Sequence, residues 1–174
     1  MTEPAGLAAL EAELSRQFTL LNLPPKPWMP ETPDPDGAAV LDVAIIGAGL
    51  CGLVAHAALA MEGIGNTRLF DRAPEGREGP WITYARMETL RTVKEAAGPA
   101  LGVPALTFRA WFEAQWGAEA WDDMTLAPRE MWMDYLIWYR RMTRADVLND
   151  CDVTEILPEG RLFRLSTSQG TQYA

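Results

Sequence analysis

Histidine and cysteine are scarce in this chain: one His and two Cys in 174 residues. With His56 alone, no Ser–His–Asp or Cys–His arrangement can be supported, and Cys51 and Cys151 form neither a metal nor a redox spacing. Two thiols so far apart suit a reducing compartment, so a cytoplasmic location is expected. Positive charge is short as well, with 15 Lys and Arg against 24 Asp and Glu and a formal net charge of −9. That balance argues against nucleic acid or an anionic membrane as partner. No apolar run approaches the roughly 18 residues of a membrane span. The opening Met1-Thr2-Glu3-Pro4 has neither the basic nor the apolar region of a secretory signal. What remains is an acidic chain, 48% apolar, of one domain's length and able to bury a substantial core.

Three textures follow one another. Leu7, Leu10, Leu14 and Phe18 recur at helical spacing within residues 5–20, which predicts an amphipathic helix that must dock on something. A proline cluster (Pro24, Pro25, Pro27, Pro30, Pro33, Pro35) then forbids helix or central strand, so 22–37 reads as an extended connector. Trp28 and Met29 within it suggest an arm lying on the body. Residues 1–39 are therefore expected as an arm and 40–174 as the domain. In that domain Val40 to Ile46 reads as a strand, 50–62 as an Ala/Leu-rich helix stopped by Gly63 and Gly65, and 67–71 as a second strand. This is the length of a strand–helix–strand crossover.

Residues 72–107 are rich in Gly and Pro, yet Trp81, Tyr84 and Leu90 argue for order. Thr107 can cap a helix through about Trp116, and Pro128 can open another to about Met142. On the second of these, Met131, Tyr135, Trp138 and Met142 share one face, a pattern that points to core. From Val153 the period changes to a β-meander: Val153 to Leu157, Leu162 to Leu165, then Thr171 to Ala174.

The informative motif is Val43-Ala44-Ile45-Ile46-Gly47-Ala48-Gly49-Leu50-Cys51-Gly52. G-x-G-x-x-G alone is weak, but here a strand precedes it, a helix follows it, and Asp71 closes the next strand 19 residues after Gly52. Gly47 permits the tight turn, Gly49 lets a pyrophosphate approach the backbone, and Gly52 allows close helix–strand packing. Unpaired N–H groups at the helix start then face the diphosphate. Such dipoles act over a few ångströms, whereas net charge is screened beyond about 8 Å, so an acidic protein can hold an anion there. The candidate binding run is Gly47, Ala48, Gly49, Leu50, Cys51 and Gly52, with Asp71 accepting from ribose hydroxyls. A carboxylate at that place disfavours a 2′-phosphate, so this turn is not expected to hold NADP. Cys51 is at a position where a thiol pKa can be lowered, although a small residue beneath the cofactor is the simpler account. His56 reads as a core or surface histidine.

The order of arm, Rossmann unit, Asp71-Arg72-Ala73-Pro74 and Gly79-Pro80-Trp81 resembles the N-terminal FAD-binding part of flavin-dependent monooxygenases. The likeness is to the flavin-containing and Baeyer–Villiger type of FAD/NAD(P)-binding oxidoreductase. It implies an α/β fold: an incomplete Rossmann-like FAD-binding domain with an N-terminal helical arm, a helical insertion and a small β-meander. Asp71 and Arg72 match the family's acidic–basic pair at the FAD ribose. Gly79 and Trp81 match its G-G-x-W motif, with Pro80 altering the doublet. The resemblance further implies that Arg86, Thr89, Leu90 and Thr92 run along the flavin and that the Val153 backbone meets the adenine.

By the same resemblance a further strand and an NADPH domain are missing, since no second G-x-G-x-x-G occurs. The expectation is an unpaired sheet edge, an uncovered apolar face, and a companion polypeptide or C-terminal portion carrying the NADPH site and most of the pocket for a small-molecule substrate. The implied function is an NADPH-dependent monooxygenase acting through a C4a-(hydro)peroxyflavin, in a hetero-oligomer or larger assembly. No side chain here need act as a nucleophile, because the cofactor carries the chemistry, and the catalytic residues stay unassigned. An FAD-dependent oxidase or dehydrogenase part, or a non-catalytic FAD-binding module, are the alternatives.

Overall fold

A computed structural model describes residues 5–34, 37, 40–96 and 98–174. Met1 to Pro4, and Pro35 of the proline cluster, lie outside the described residues. Two three-stranded sheets form the frame. In the first, β1 (Val43–Ile46), β2 (Thr67–Phe70) and β3 (Val147–Leu148) are parallel, in that order, with Val43 opposite Thr67 and Leu69 opposite Val147. In the second, β4 (Val153–Glu159), β5 (Leu162–Thr167) and β6 (Gly170–Tyr173) make the antiparallel meander.

The faces of β2 are divided as strand geometry demands. Leu69 points into the large core shared with the helices, and Phe70 into a small cluster with Cys151 and Leu165 under the meander. The helix face is filled by α2 (Leu50–Met61) and α4 (Arg129–Thr143). Leu41 N–H donates to Tyr173 O (3.1 Å), which ties the end of the meander to the approach to β1. β1 has no partner on its other side among the described residues, and its last residue, Ile46, is 50% exposed.

The helix α1 (Ala5–Leu20) docks as its pattern requires: Leu7 and Leu14 are buried, and Leu10 and Phe18 pack on the same core. Polar ties fix it, among them an ion pair of Glu11 with Arg141. Gln17 Oε1 accepts from Ala105 N–H (3.1 Å), and Glu11 Oε1 accepts from Trp138 Nε1–H (3.0 Å). The proline arm lies on the body, where Trp28 Nε1–H donates to Glu62 O (2.8 Å) at the end of α2.

The insertion is built from aromatic rings. A short 3-10 turn (Pro104–Leu106) leads into α3 (Phe108–Asp123), whose start is capped by Thr107 Oγ1 accepting from Ala110 N–H (3.1 Å). Gly117 breaks α3 at φ 86°, just after the predicted end at Trp116, and a second helical segment follows that the sequence pattern did not announce. Pro128 is the residue before α4 and not its first helical position, since its ψ is 139°. Phe108 lies edge-on to Trp121, Trp132 and Tyr135 at 5.3–5.8 Å, a favourable quadrupole arrangement.

β3 is a further element that the sequence pattern does not announce. Leu69 is fully buried between it, β1 and α2, so Leu69→Ala is expected to lower unfolding free energy by about 2–5 kcal/mol. Urea unfolding followed by circular dichroism checks this.

Candidate functional site

The strongest local constraint is the junction of β1 and α2. Gly47 takes φ +96°, and its N–H donates to Phe70 O (2.8 Å), so the turn stays attached to the end of β2. A Cβ on Gly52 would stand 1.9 Å from Gly47 O and 3.2 Å from a Leu69 methyl. Only glycine lets the first turn of α2 fold back over the strand end. The closest clash is thus with the turn's own carbonyl, nearer than the strand–helix contact expected for that position.

Gly49 caps α2 with φ −69° and ψ −173°, and no side chain caps the helix. The first N–H groups of a helix have no intrahelical partner, and they concentrate partial positive charge. Facing this end lies Gly79, itself at φ +73°. A Cβ on Gly49 would meet Gly79 Cα at 3.6 Å, an ordinary contact. Two glycines therefore border the space in front of the helix end, and neither carries a side chain into it.

Asp71 is almost fully buried at the end of β2. Its Oδ2 accepts from Ala48 N–H (2.7 Å) inside the glycine turn and its Oδ1 from Ala73 N–H (2.8 Å). A carboxylate oxygen has two acceptor positions, so capacity remains for hydroxyls of a ligand. The residue braces the turn, a role the spacing alone did not reveal. Cys151 N–H donates to Asp71 O (2.9 Å), which places the Cys151–Val153 segment beside that carboxylate. Val153 is half-buried there, and Arg72 is exposed.

The loop after Gly79 is anchored by a residue absent from the sequence-derived set. Arg129 Nη1 donates to Trp81 O (3.0 Å) and Ala85 O (2.9 Å), and its own N–H donates to Glu88 O (3.1 Å). Trp81 is half-buried, edge-on to Trp132 at 6.3 Å. Its Nε1–H is buried and has no hydrogen-bond partner among the described residues. Of the other candidates, Arg86 and Thr92 are exposed, Thr89 bridges Pro128, and Leu90 is buried with its N–H donated to Ala127 O (2.8 Å). Leu50 is half-buried, Ala48 buried and Cys51 exposed on the first turn of α2. A cleft of about 470 Å³ adjoins the turn, lined by Ala48, Gly49, Glu78, Ile137 and Arg140 among others.

His56 is a core residue, far along α2 from the turn. Nδ1 shares a hydrogen bond with Thr67 Oγ1 (2.8 Å). Burial lowers its pKa below the usual 6.5, only partly offset by the Thr143 backbone and the Asp146 charge. A second cavity of about 620 Å³ lies against it, between the proline arm, Phe18 and Met61. Among the described residues no group of His, Cys, Asp and Glu could hold a metal ion, and no helix is long and apolar enough to cross a membrane.

Gly52 folded over Gly47, the close backbone approach of Gly49 and Gly79 at the helix start, and the braced Asp71 together define a dinucleotide-binding α/β protein. The family model described as FAD-NAD(P)-binding matches residues 44–173, and the chain belongs to that family. An FAD-dependent urate hydroxylase from Xanthomonas campestris pathovar campestris is 46% identical over 167 residues, covering 95% of this chain and 35% of that protein. The chain thus spans about a third of the curated relative it matches. A flavin-containing monooxygenase from Stenotrophomonas maltophilia superposes with a TM-score of 0.57 at 22% identity, over 78% of this chain and 36% of that one. A bacillithiol disulfide reductase from Staphylococcus aureus superposes with a TM-score of 0.58 at 16% identity, over 76% and 35%. The fold is therefore shared with flavoproteins.

The buried neutral His56 has a consequence for stability. Below pH 6.5 the unfolded chain takes up a proton that the folded chain resists. Its contribution is therefore complete above 6.5 and is lost as pH falls toward the lowered folded value. Denaturation at pH 7.5 and pH 5.5 is expected to show a smaller acid-induced loss in His56→Gln than in the native chain.

Proposed function

We propose that this chain binds FAD, with the diphosphate on the Gly47–Gly52 turn, the ribose at Asp71 and the remainder of the cofactor passing Gly79 and Trp81. The carrying observation is that the backbones of Gly49 and Gly79 meet at the start of α2 with no side chain on either. Arg72, Arg86, Thr89, Leu90, Thr92 and Val153 are proposed as further contacts, Leu90 and Val153 through their backbones.

The same reading gives the domain plan: an arm over 1–39 and an FAD-binding domain over 40–174. The intact protein acts as an NADPH-dependent monooxygenase through a C4a-(hydro)peroxyflavin, placing one oxygen atom of O₂ in the substrate and the other in water. FAD supplies that redox chemistry; this chain's part is to bind and orient it and to exclude water. NADPH and most of the substrate pocket belong to polypeptide outside these residues, a companion chain or C-terminal portion. The chain's coverage of only 35% of the urate hydroxylase supports this, as does the open side of β1. Urate is the first substrate to test, given that relative. A cytoplasmic setting suits the two free thiols.

Two substitutions separate binding from folding. Gly49→Ala meets only an ordinary contact in the protein, so the fold is expected to persist, at a cost of about 1 kcal/mol for the poorer cap, while FAD retention falls sharply. Gly52→Ala is expected to disrupt the turn itself. Flavin absorbance per folded protein, with folding read by circular dichroism, reports both. Undiminished flavin content in Gly49→Ala contradicts the assignment. Oxygen uptake with NADPH and urate then distinguishes monooxygenation from an oxidase reaction that returns only hydrogen peroxide.

A further inference from the structure

Beside the glycine turn lies a closed triangle of polar side chains that the family motif does not contain. Glu78 precedes Gly79, and its side chain is 5% exposed. Its Oε1 accepts from Arg140 Nη1 (2.6 Å) and from Asn149 Nδ2 (2.7 Å). Arg140 Nη2 in turn donates to Asn149 Oδ1 (3.0 Å), so each member bonds to both others. Asn149 Nδ2 also reaches Ala73 O (3.0 Å), which accepts from Asp150 N–H (3.2 Å) as well. Glu75 approaches Arg140 from the solvent side at 3.7 Å.

The triangle joins the loop that carries Gly79, the helix α4 and the crossover from β3 to the meander. Each bounds the proposed cofactor site. Glu78 fixes the residue that faces Gly49, and Ala73 is the second residue hydrogen-bonded by Asp71. Stability is a poor explanation for such a cluster. Desolvating a carboxylate and a guanidinium costs much of what their attraction returns, and apolar replacements are often no less stable. A planar guanidinium making two directed bonds does, however, define geometry tightly.

We propose that Glu78, Arg140 and Asn149 are positioning residues that set how Gly79 packs against the Gly47–Gly52 turn, and so the fit of the FAD diphosphate and ribose. The proposal rests on the FAD site above. The triangle acts on the site through the backbone it holds. The bonds matter more than the charge, because a single oxygen of Glu78 receives both of them. Glu78→Gln keeps that oxygen.

Titration of the deflavinated intact protein with FAD, read by flavin fluorescence and scaled to the folded fraction, provides the test. Asn149→Ala is expected to raise the FAD dissociation constant about tenfold or more, with little change in apoprotein melting temperature. Glu78→Gln is expected to stay within about threefold of the native protein. If Asn149→Ala does not fold, Arg140→Lys carries the same expectation, since a lysine cannot make both in-plane bonds. Native-like affinity in a folded Asn149→Ala or Arg140→Lys protein overturns the proposal, as does an equal loss in Glu78→Gln. Absence of FAD binding by the native protein overturns the FAD reading itself, and this proposal with it.

Discussion

The architecture around the site depends on one steric fact: the carbonyl of Gly47 occupies the place where a side chain at residue 52 would begin. That contact brings the first turn of α2 over the end of β1 and aims its free N–H groups along the sheet's carboxyl edge. Asp71 then fixes the arrangement from the neighbouring strand, because its two oxygens hold Ala48 and Ala73 at once. A turn, a helix end and a strand end become one rigid corner. The carboxylate could not be exchanged for a hydrophobic residue without leaving two backbone donors unpaired in a buried setting.

Net charge has little to do with this. The chain carries −9 overall, yet the corner offers amide hydrogens, and its buried acids are engaged, Asp71 with Ala48 and Ala73 and Glu78 with Arg140 and Asn149. Arg129 and Arg140 serve nearby as structural donors, each engaging two or more acceptors. They work by satisfying carbonyls and a buried carboxylate, which is why the loop from Gly79 to Leu90 stays ordered with almost no regular structure of its own.

Much of this was legible beforehand, and the reasons are local. Gly47, Gly49 and Gly52 declare a backbone requirement, Thr107 declares a cap, and Leu7, Leu10, Leu14 and Phe18 declare a helix that packs. Each signal is written within a few residues. β3 was not legible: Val147 and Leu148 make only two paired residues between Asp146 and Asn149, and long-range pairing with β2 alone makes them a strand. Glu78 was missed for a related reason. A charged residue amid Arg77 and Gly79 reads as solvated loop, and only the distant Arg140 and Asn149 bring it inside. The spacing marks Asp71 as a candidate for ribose, but its bond to Ala48 depends on the closed fold.

The indole-rich insertion carries a spectroscopic corollary. The chain has seven tryptophans, and Trp81 and Trp132 form an edge-to-face pair beginning at the loop that borders the glycine corner. Indole emission overlaps the near-ultraviolet absorption of an isoalloxazine, so any flavin seated there becomes an energy acceptor for several fluorophores packed within the same small body. Cofactor loading is thereby converted into intrinsic dimming of the protein's own light, with no label attached.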